Sequence, residues 1–182
     1  GYEKVTTVEE CRVALRIGGF SGYDFLGTEN DAAWPGGCYH CQSVSGCSDG
    51  VWFNSHGTGA TNGNAKSFCV STTNGVKRSQ MLFAGDSDID SIPEAWASLY
   101  PDSYNVDVGV DTCQDVLNMA PGMISVLLPS TLVLVCGEND LDGTSVDETF
   151  NRFKAAVDLY IAAGTKVFYI GTKPERATTS LH

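Results

Sequence analysis

The sequence predicts an α/β protein, a parallel sheet with helices on both faces, preceded by a small disulfide-rich, loop-rich module. Three observations carry this. Past residue 78, short apolar runs alternate with helical patterns, the grammar of a parallel sheet. Five of the seven cysteines fall within the first 69 residues. Glycines and short polar turns crowd that same stretch. We therefore expect a Cys-rich module over 1–78 and an α/β domain over 79–182, the latter incomplete at its carboxyl end.

In the first region one helix is expected near the start. Thr7 caps it, Glu10 completes a capping box, Val13, Leu15 and Ile17 follow, and Gly18-Gly19 stops it. Short strand-like pieces come next, among them Val51-Trp52-Phe53. So little apolar surface needs disulfides or docking to hold it. In the second region Met81 to Ala84 is a strand ending at Gly85, and Ile92 to Tyr100 a short helix with Pro93 in its first turn. Tyr104 to Val108 is a second strand, and Thr112 caps a helix through Met119. Thr131 to Val135 is a continuous apolar strand, as expected when both faces are covered. Asp147 to Ala163 is a helix, capped by Ser145 and Glu148, with Phe150, Phe153, Val157 and Tyr160/Ile161 on one face. Lys166 to Ile170 is a fourth strand.

Composition excludes several function classes. Lys plus Arg is 11 against 22 Asp plus Glu, a net charge of −11, which opposes broad binding to nucleic acid or anionic membranes. The longest apolar stretch, Ile124 to Cys136, is broken by Ser125, Pro129, Ser130 and Thr131, and falls short of the ~20 residues of a spanning helix. The density of cysteines points to disulfides and an oxidising compartment, secreted or luminal, and the odd total leaves one thiol over.

Function in an open parallel sheet collects at the carboxyl ends of the strands. Three polar clusters fall there: Gly85-Asp86-Ser87-Asp88, Val108-Gly109-Val110-Asp111 and Gly137-Glu138-Asn139-Asp140. Ser87, on a strand-to-helix turn, is a candidate nucleophile. Backbone N–H groups near it and the Asn139 amide are candidate donors to a developing oxyanion.

On these residues, 80–172 resemble the SGNH (GDSL-like) hydrolase superfamily. Gly85-Asp86-Ser87 is similar to its nucleophile block, and Gly137-Glu138-Asn139-Asp140 to its Gly-x-Asn-Asp block. The resemblance implies a flavodoxin-like fold and hydrolysis of acyl or acetyl esters, often on carbohydrate or lipid. It implies Ser87 as nucleophile, with the Ser87 N–H, the Gly109/Val110 N–H and Asn139 as oxyanion donors. The sequence departs from the pattern twice. Val110 stands where a glycine is expected, with Gly109 one residue earlier, and no Asp-x-x-His or Asp-x-His occurs anywhere. Two readings follow: a hydrolase whose base lies beyond His182, or a catalytically incomplete structural or interaction subunit of a larger assembly. The first module is similar to small Cys-rich modules of extracellular microalgal and protist proteins, through Gly37-Cys38-Tyr39, Val51-Trp52-Phe53-Asn54 and Ser67-Phe68-Cys69.

Other features read more plainly. Cys38-x-x-Cys41 with His40, Cys47, His56 and Cys69 lacks the second knuckle of a zinc ribbon, and disulfides are expected instead. Asp86, Asp88 and Asp90 miss the glycine and glutamate of a calcium loop. Asp140, Asp142 and Asp147 are expected to cap and solvate the loop before the long helix. Trp34, Trp52 and Trp96 are candidates for a sugar-stacking surface, with partly buried packing the plainer reading, and a third reading of the chain is carbohydrate binding by the first module. No cofactor, metal, nucleic acid or membrane span is expected. The expected partner is a small-molecule or glycan ester substrate, with protein partners if the chain is a structural subunit.

Overall fold

A computed structural model of the chain describes residues 2–17, 23–42, 46–71, 81–90, 100–106 and 111–171. The chain divides into two compact units, Gly1–Val76 and Lys77–His182.

The first unit opens with β1 (Tyr2–Lys4) and α1 (Val8–Ile17). The Thr7 hydroxyl accepts from the Glu10 N–H at 3.1 Å, and the Glu10 carboxylate takes the Thr6 N–H at 3.2 Å, so the helix is capped where the sequence predicts. The strands β2 (Phe25–Glu29), β3 (Gly37–Cys41), β4 (Gly50–Asn54) and β5 (Ala65–Ser67) form a mixed sheet in the order β2-β4-β3-β5. Only β2 and β4 run parallel; β3 is antiparallel to both β4 and β5. A further strand, β6 (Cys69–Ser71), pairs antiparallel with β1. The unit thus has more regular sheet than its glycine content suggests.

Its core lies between α1 and one sheet face, where Cys11, Ala14 and Leu15 meet Cys38, Val51 and Phe53. The Cys11–Cys38 disulfide ties helix to sheet, and Cys41–Cys47 closes the turn after β3. The two cysteines of Cys38-x-x-Cys41 therefore go to different partners, the disulfide arrangement expected over a zinc knuckle. Closing a loop of 27 residues constrains the unfolded chain by about 3.5 kcal/mol, a large share for so small a core. Cys69 is exposed and outside the disulfides.

The second unit holds β7 (Met81–Gly85), α2 (Ser87–Asp90), β8 (Tyr104–Asn105), α3 (Cys113–Leu127), β9 (Thr131–Val135), α4 (Glu138–Leu141), α5 (Val146–Ala162) and β10 (Lys166–Tyr169). Its strands are all parallel, in the order β8-β7-β9-β10. Counted in chain order that is 2-1-3-4, the doubly wound, flavodoxin-like order with its switch point between β7 and β9. Both faces of the central strands are apolar. Phe83 and Val135 pack with Ile89 on one side, while Leu82, Leu132 and Leu134 are fully buried on alternate positions. The helices α3 and α5 pack against each other, and the Tyr160 hydroxyl donates to Met123 Sδ at 2.9 Å.

Two helical expectations change. The helix capped by Thr112 passes Met119 and runs through Pro121 to Leu127. The proline ring is on the exposed side, and burial of Met119, Ala120, Met123 and Leu127 offsets the missing backbone hydrogen bond. On α5 the buried stripe is Thr149, Ala156 and Tyr160, with Phe153 and Val157 half-buried, whereas Phe150 and Ile161 are 59% and 58% exposed. Its face is therefore rotated by about one residue from the apolar periodicity, because the packing against α3 is centred on Tyr160. The helix expected over Ile92–Tyr100 lies, except for Tyr100 itself, outside the described residues.

Two tight constraints organise the carboxyl edge of this sheet. A Cβ at Gly85 would lie 2.0 Å from the Val135 carbonyl oxygen, so only glycine lets β7 and β9 close there. Asp140 was expected to solvate a loop but is buried. Its Oδ2 accepts from the Cys113 N–H at 2.6 Å and its Oδ1 faces Arg152 Nη1 at 3.3 Å. The physical reason is that the first N–H groups of α3 point inward and need an acceptor. Asp142 and Asp147 are exposed, as expected.

Two outcomes follow. Gly85→Ala should lower unfolding stability by about 3 kcal/mol, as overpacking against rigid backbone does, while Gly143→Ala, with open space around it, stays within about 0.5 kcal/mol. Arg152→Met leaves the Asp140 carboxylate uncompensated. Because Arg152 is itself a quarter exposed, about 2 kcal/mol of loss is expected in urea denaturation, reduced in high salt.

Candidate active site

The two candidate motifs leave adjacent strands at the same level. The parallel register sets Gly85 opposite Val135, so the turns after β7 and β9 begin side by side at the switch point. After β7 the chain turns at Asp86, a buried carboxylate whose Oδ1 accepts from the Asp88 N–H at 3.1 Å. This local bond holds the turn that carries Ser87. Ser87 is the first residue of α2 and is exposed. The Asp86 carbonyl accepts from the Ile89 N–H at 3.0 Å, closing the turn from the other side.

Asn105, at the end of β8, donates its amide to the Ile89 carbonyl at 3.3 Å. It thereby ties the second strand to the turn of the first. Val106 donates to the Phe83 carbonyl at 3.0 Å, keeping that segment against β7.

After β9 the chain passes Cys136 and then Gly137, at φ +125° and ψ −28°, a conformation that L side chains rarely adopt. This reversal starts α4 and sets Asn139 half-buried at the carboxyl edge. The Asn139 amide donates to the Asp111 carbonyl at 3.0 Å. Asp111 is followed by Thr112, which caps α3 in a reciprocal box with Asp115, and by Cys113, bonded to Cys136. Segment 111–113 is therefore held to the end of β9 by the Asn139 amide, the Asp140 carboxylate and a disulfide.

Of the predicted site residues, Ser87 and Asn139 both lie at the carboxyl edge, on turns from neighbouring strands. Gly109 and Val110 lie outside the described residues, just ahead of the anchored Asp111. The described residues of this unit include no histidine; His40 and His56 belong to the first unit and His182 is not among the described residues. No group of three or more His, Cys, Asp or Glu able to hold a metal occurs among the described residues. The three disulfides fit an oxidising setting, and no described helix is long and apolar enough to cross a membrane.

The chain is similar to several solved structures. One is TesA, at 20% identity, covering 52% of this chain and 61% of that one, with a TM-score of 0.45. Another is the psychrotrophic esterase EstA from Pseudoalteromonas sp., inhibited by monoethylphosphonate, at 18% identity, covering 53% and 62%, with a TM-score of 0.44. A third is a GDSL-like lipase from Bacteroides thetaiotaomicron, at 21% identity, covering 54% and 51%, with a TM-score of 0.42. Neither a protein-family model nor a curated protein matches the chain. The chain spans between about half and three-fifths of the length of these solved structures.

Proposed function

We propose that the second unit is a serine ester hydrolase acting on an acyl or acetyl ester, on a small molecule or a glycan or lipid. The observation that carries this is the exposed Ser87 on a closed turn at the end of β7, beside the turn that bears Asn139, at the switch point of a doubly wound sheet. In the proposed step Ser87 Oγ bonds to the ester carbonyl carbon while its proton passes to a base. The carbonyl oxygen becomes an oxyanion that accepts from the Ser87 N–H, the Gly109/Val110 N–H and the Asn139 amide. Asn139 has two amide hydrogens, so one stays available beyond the bond to Asp111. Collapse of the intermediate expels the alcohol with the base's proton, and water then releases the acid from the acyl-serine. The base is proposed to come from sequence beyond His182. The three disulfides support placing this activity in a secreted or luminal protein.

A second reading, a catalytically incomplete structural or interaction subunit, is favoured by one observation. The described residues of the unit hold no histidine to activate Ser87. Treatment of the native protein with a fluorophosphonate separates the two. The hydrolase reading expects a single covalent adduct on Ser87, none in Ser87→Ala, and a loss of more than about a thousandfold in kcat for acetyl-ester cleavage. Asn139→Ala should lower kcat by about a hundred- to a thousandfold with little change in KM. An unlabelled native protein with no esterase activity, folded equally well with and without the Ser87 hydroxyl, establishes the scaffold reading instead.

A further inference from the structure

We propose that the first unit binds a neutral saccharide of equatorially hydroxylated pyranoses in a cavity walled by Trp34 and Trp52 and floored by Glu29 and Tyr39. The site is built from the first unit alone and does not depend on the hydrolase reading.

The sheet of the first unit has one face to spare. Cys38, Val51 and Phe53 turn toward α1 and the core. Alternation then sends Tyr39 and Trp52, directly opposite each other on β3 and β4, to the other face. On a half-covered sheet that face is ordinarily polar. Here it carries aromatic rings around a cavity of about 400 Å³, within the ~300–1,000 Å³ of small-molecule sites.

The rings are held in place. Trp34 lies parallel to Tyr39, with centroids 6.0 Å apart and planes 2° from parallel. Tyr39 is buried, so Trp34 is the outer ring of the pair. The loop that carries Trp34 is pinned by Asn54, which is 1% exposed. The Asn54 amide donates to the carbonyls of Asp31 at 2.7 Å and Trp34 at 3.0 Å, and its Oδ1 accepts the N–H of Asp31 and of His56, each at 3.0 Å. From the far side Gly59 packs so closely that a Cβ would lie 2.4 Å from the Trp34 carbonyl. Trp52 is fixed by its indole N–H, which donates to the Ser48 carbonyl at 3.4 Å. Rings ordered before binding lose little freedom on binding.

The chemistry of the walls selects the ligand. The Tyr39 hydroxyl donates to Glu29 Oε1 at 2.7 Å, and burial, then this bond, raises the phenol well above its ordinary pKa, so it stays a donor. The second Glu29 oxygen is left to accept a ligand hydroxyl. A pyranose with equatorial hydroxyls offers flat faces of C–H groups, whose positive polarisation suits the negative face of an indole. Its rim of hydroxyls suits a carboxylate. A net charge of −11, with Glu29 in the cavity itself, disfavours acidic glycans. Parallel stacking of Trp34 on Tyr39 makes a shelf, not the box of rings that encloses a quaternary ammonium.

The test is calorimetric titration of the full chain with cellotetraose and chitotetraose, and with tetramethylammonium chloride as the competing cation. Binding of at least one saccharide is expected, weakened about tenfold or more by Trp34→Ala and by Trp52→Ala, and less by Glu29→Gln. Trp34→Phe and Trp52→Phe, which keep a ring and the fold, should recover much of the affinity. Failure of both saccharides to bind overturns the proposal. So does saccharide binding that survives Trp34→Ala in protein with unchanged circular dichroism, or binding of tetramethylammonium alone.

Discussion

The carboxyl edge of the second unit rests on one buried carboxylate. Asp140 takes the first free N–H of α3 on one oxygen and faces the Arg152 guanidinium of α5 on the other. A lone carboxylate with no exposed side-chain surface is costly, and only such complementary partners make it tolerable. Through these two contacts α3, α4 and α5 meet at a single point beside the end of β9. The Cys113–Cys136 disulfide and the Asn139–Asp111 bond act on the same few residues. The candidate chemistry therefore sits on a knot of strong, directional interactions and not on loosely packed loops, as preorganised hydrogen-bond donors require.

The two units reach order by different means. The first has a core of one helix against one face of a short sheet, and two disulfides bridge its elements. The second buries both faces of its central strands and carries one disulfide, itself buried, at the carboxyl edge. A covalent bond in the first unit thus compensates for missing apolar area. In the second it fixes the start of α3 to the end of β9.

Much of this was legible in the chain. The strands β7, β9 and β10 and the helix α5 were expected to within a residue or two, because continuous apolar runs and Ser or Thr caps are local signals. The parallel, doubly wound sheet followed from their alternation. The mixed sheet of the first unit was not legible, since its strands are short and two of its three pairings, β2–β4 and β3–β5, join strands that are not consecutive. The rotation of α5 that exposes Phe150 and Ile161 was hidden as well. Periodicity shows that an apolar stripe exists, but the neighbouring helix decides which edge of the stripe is covered. At the site, Ser87 and Asn139 were visible as strand-end residues. The clamping roles of Asn105 and Asp140 were not, because a side chain that caps a distant backbone group leaves no spacing to read. Asn54 belongs with them: it stood at the end of an expected strand, and nothing nearby revealed that it would hold the loop of Trp34.

Gly85 has a consequence for how the motif itself is understood. The strand behind it excludes any side chain, and Gly137 is held to glycine by its backbone angles. Asn139 and Asp140 are both tied to the start of α3 or the residues before it. These letters of the motif are thus required by the architecture whether or not any reaction takes place. A descendant of this chain that had lost its chemistry would still spell them. Ser87 is exposed above a turn closed by the Asp86 carboxylate and by the Ile89 N–H. A match to the motif therefore reports the architecture of a chain, and only the reaction itself reports its use.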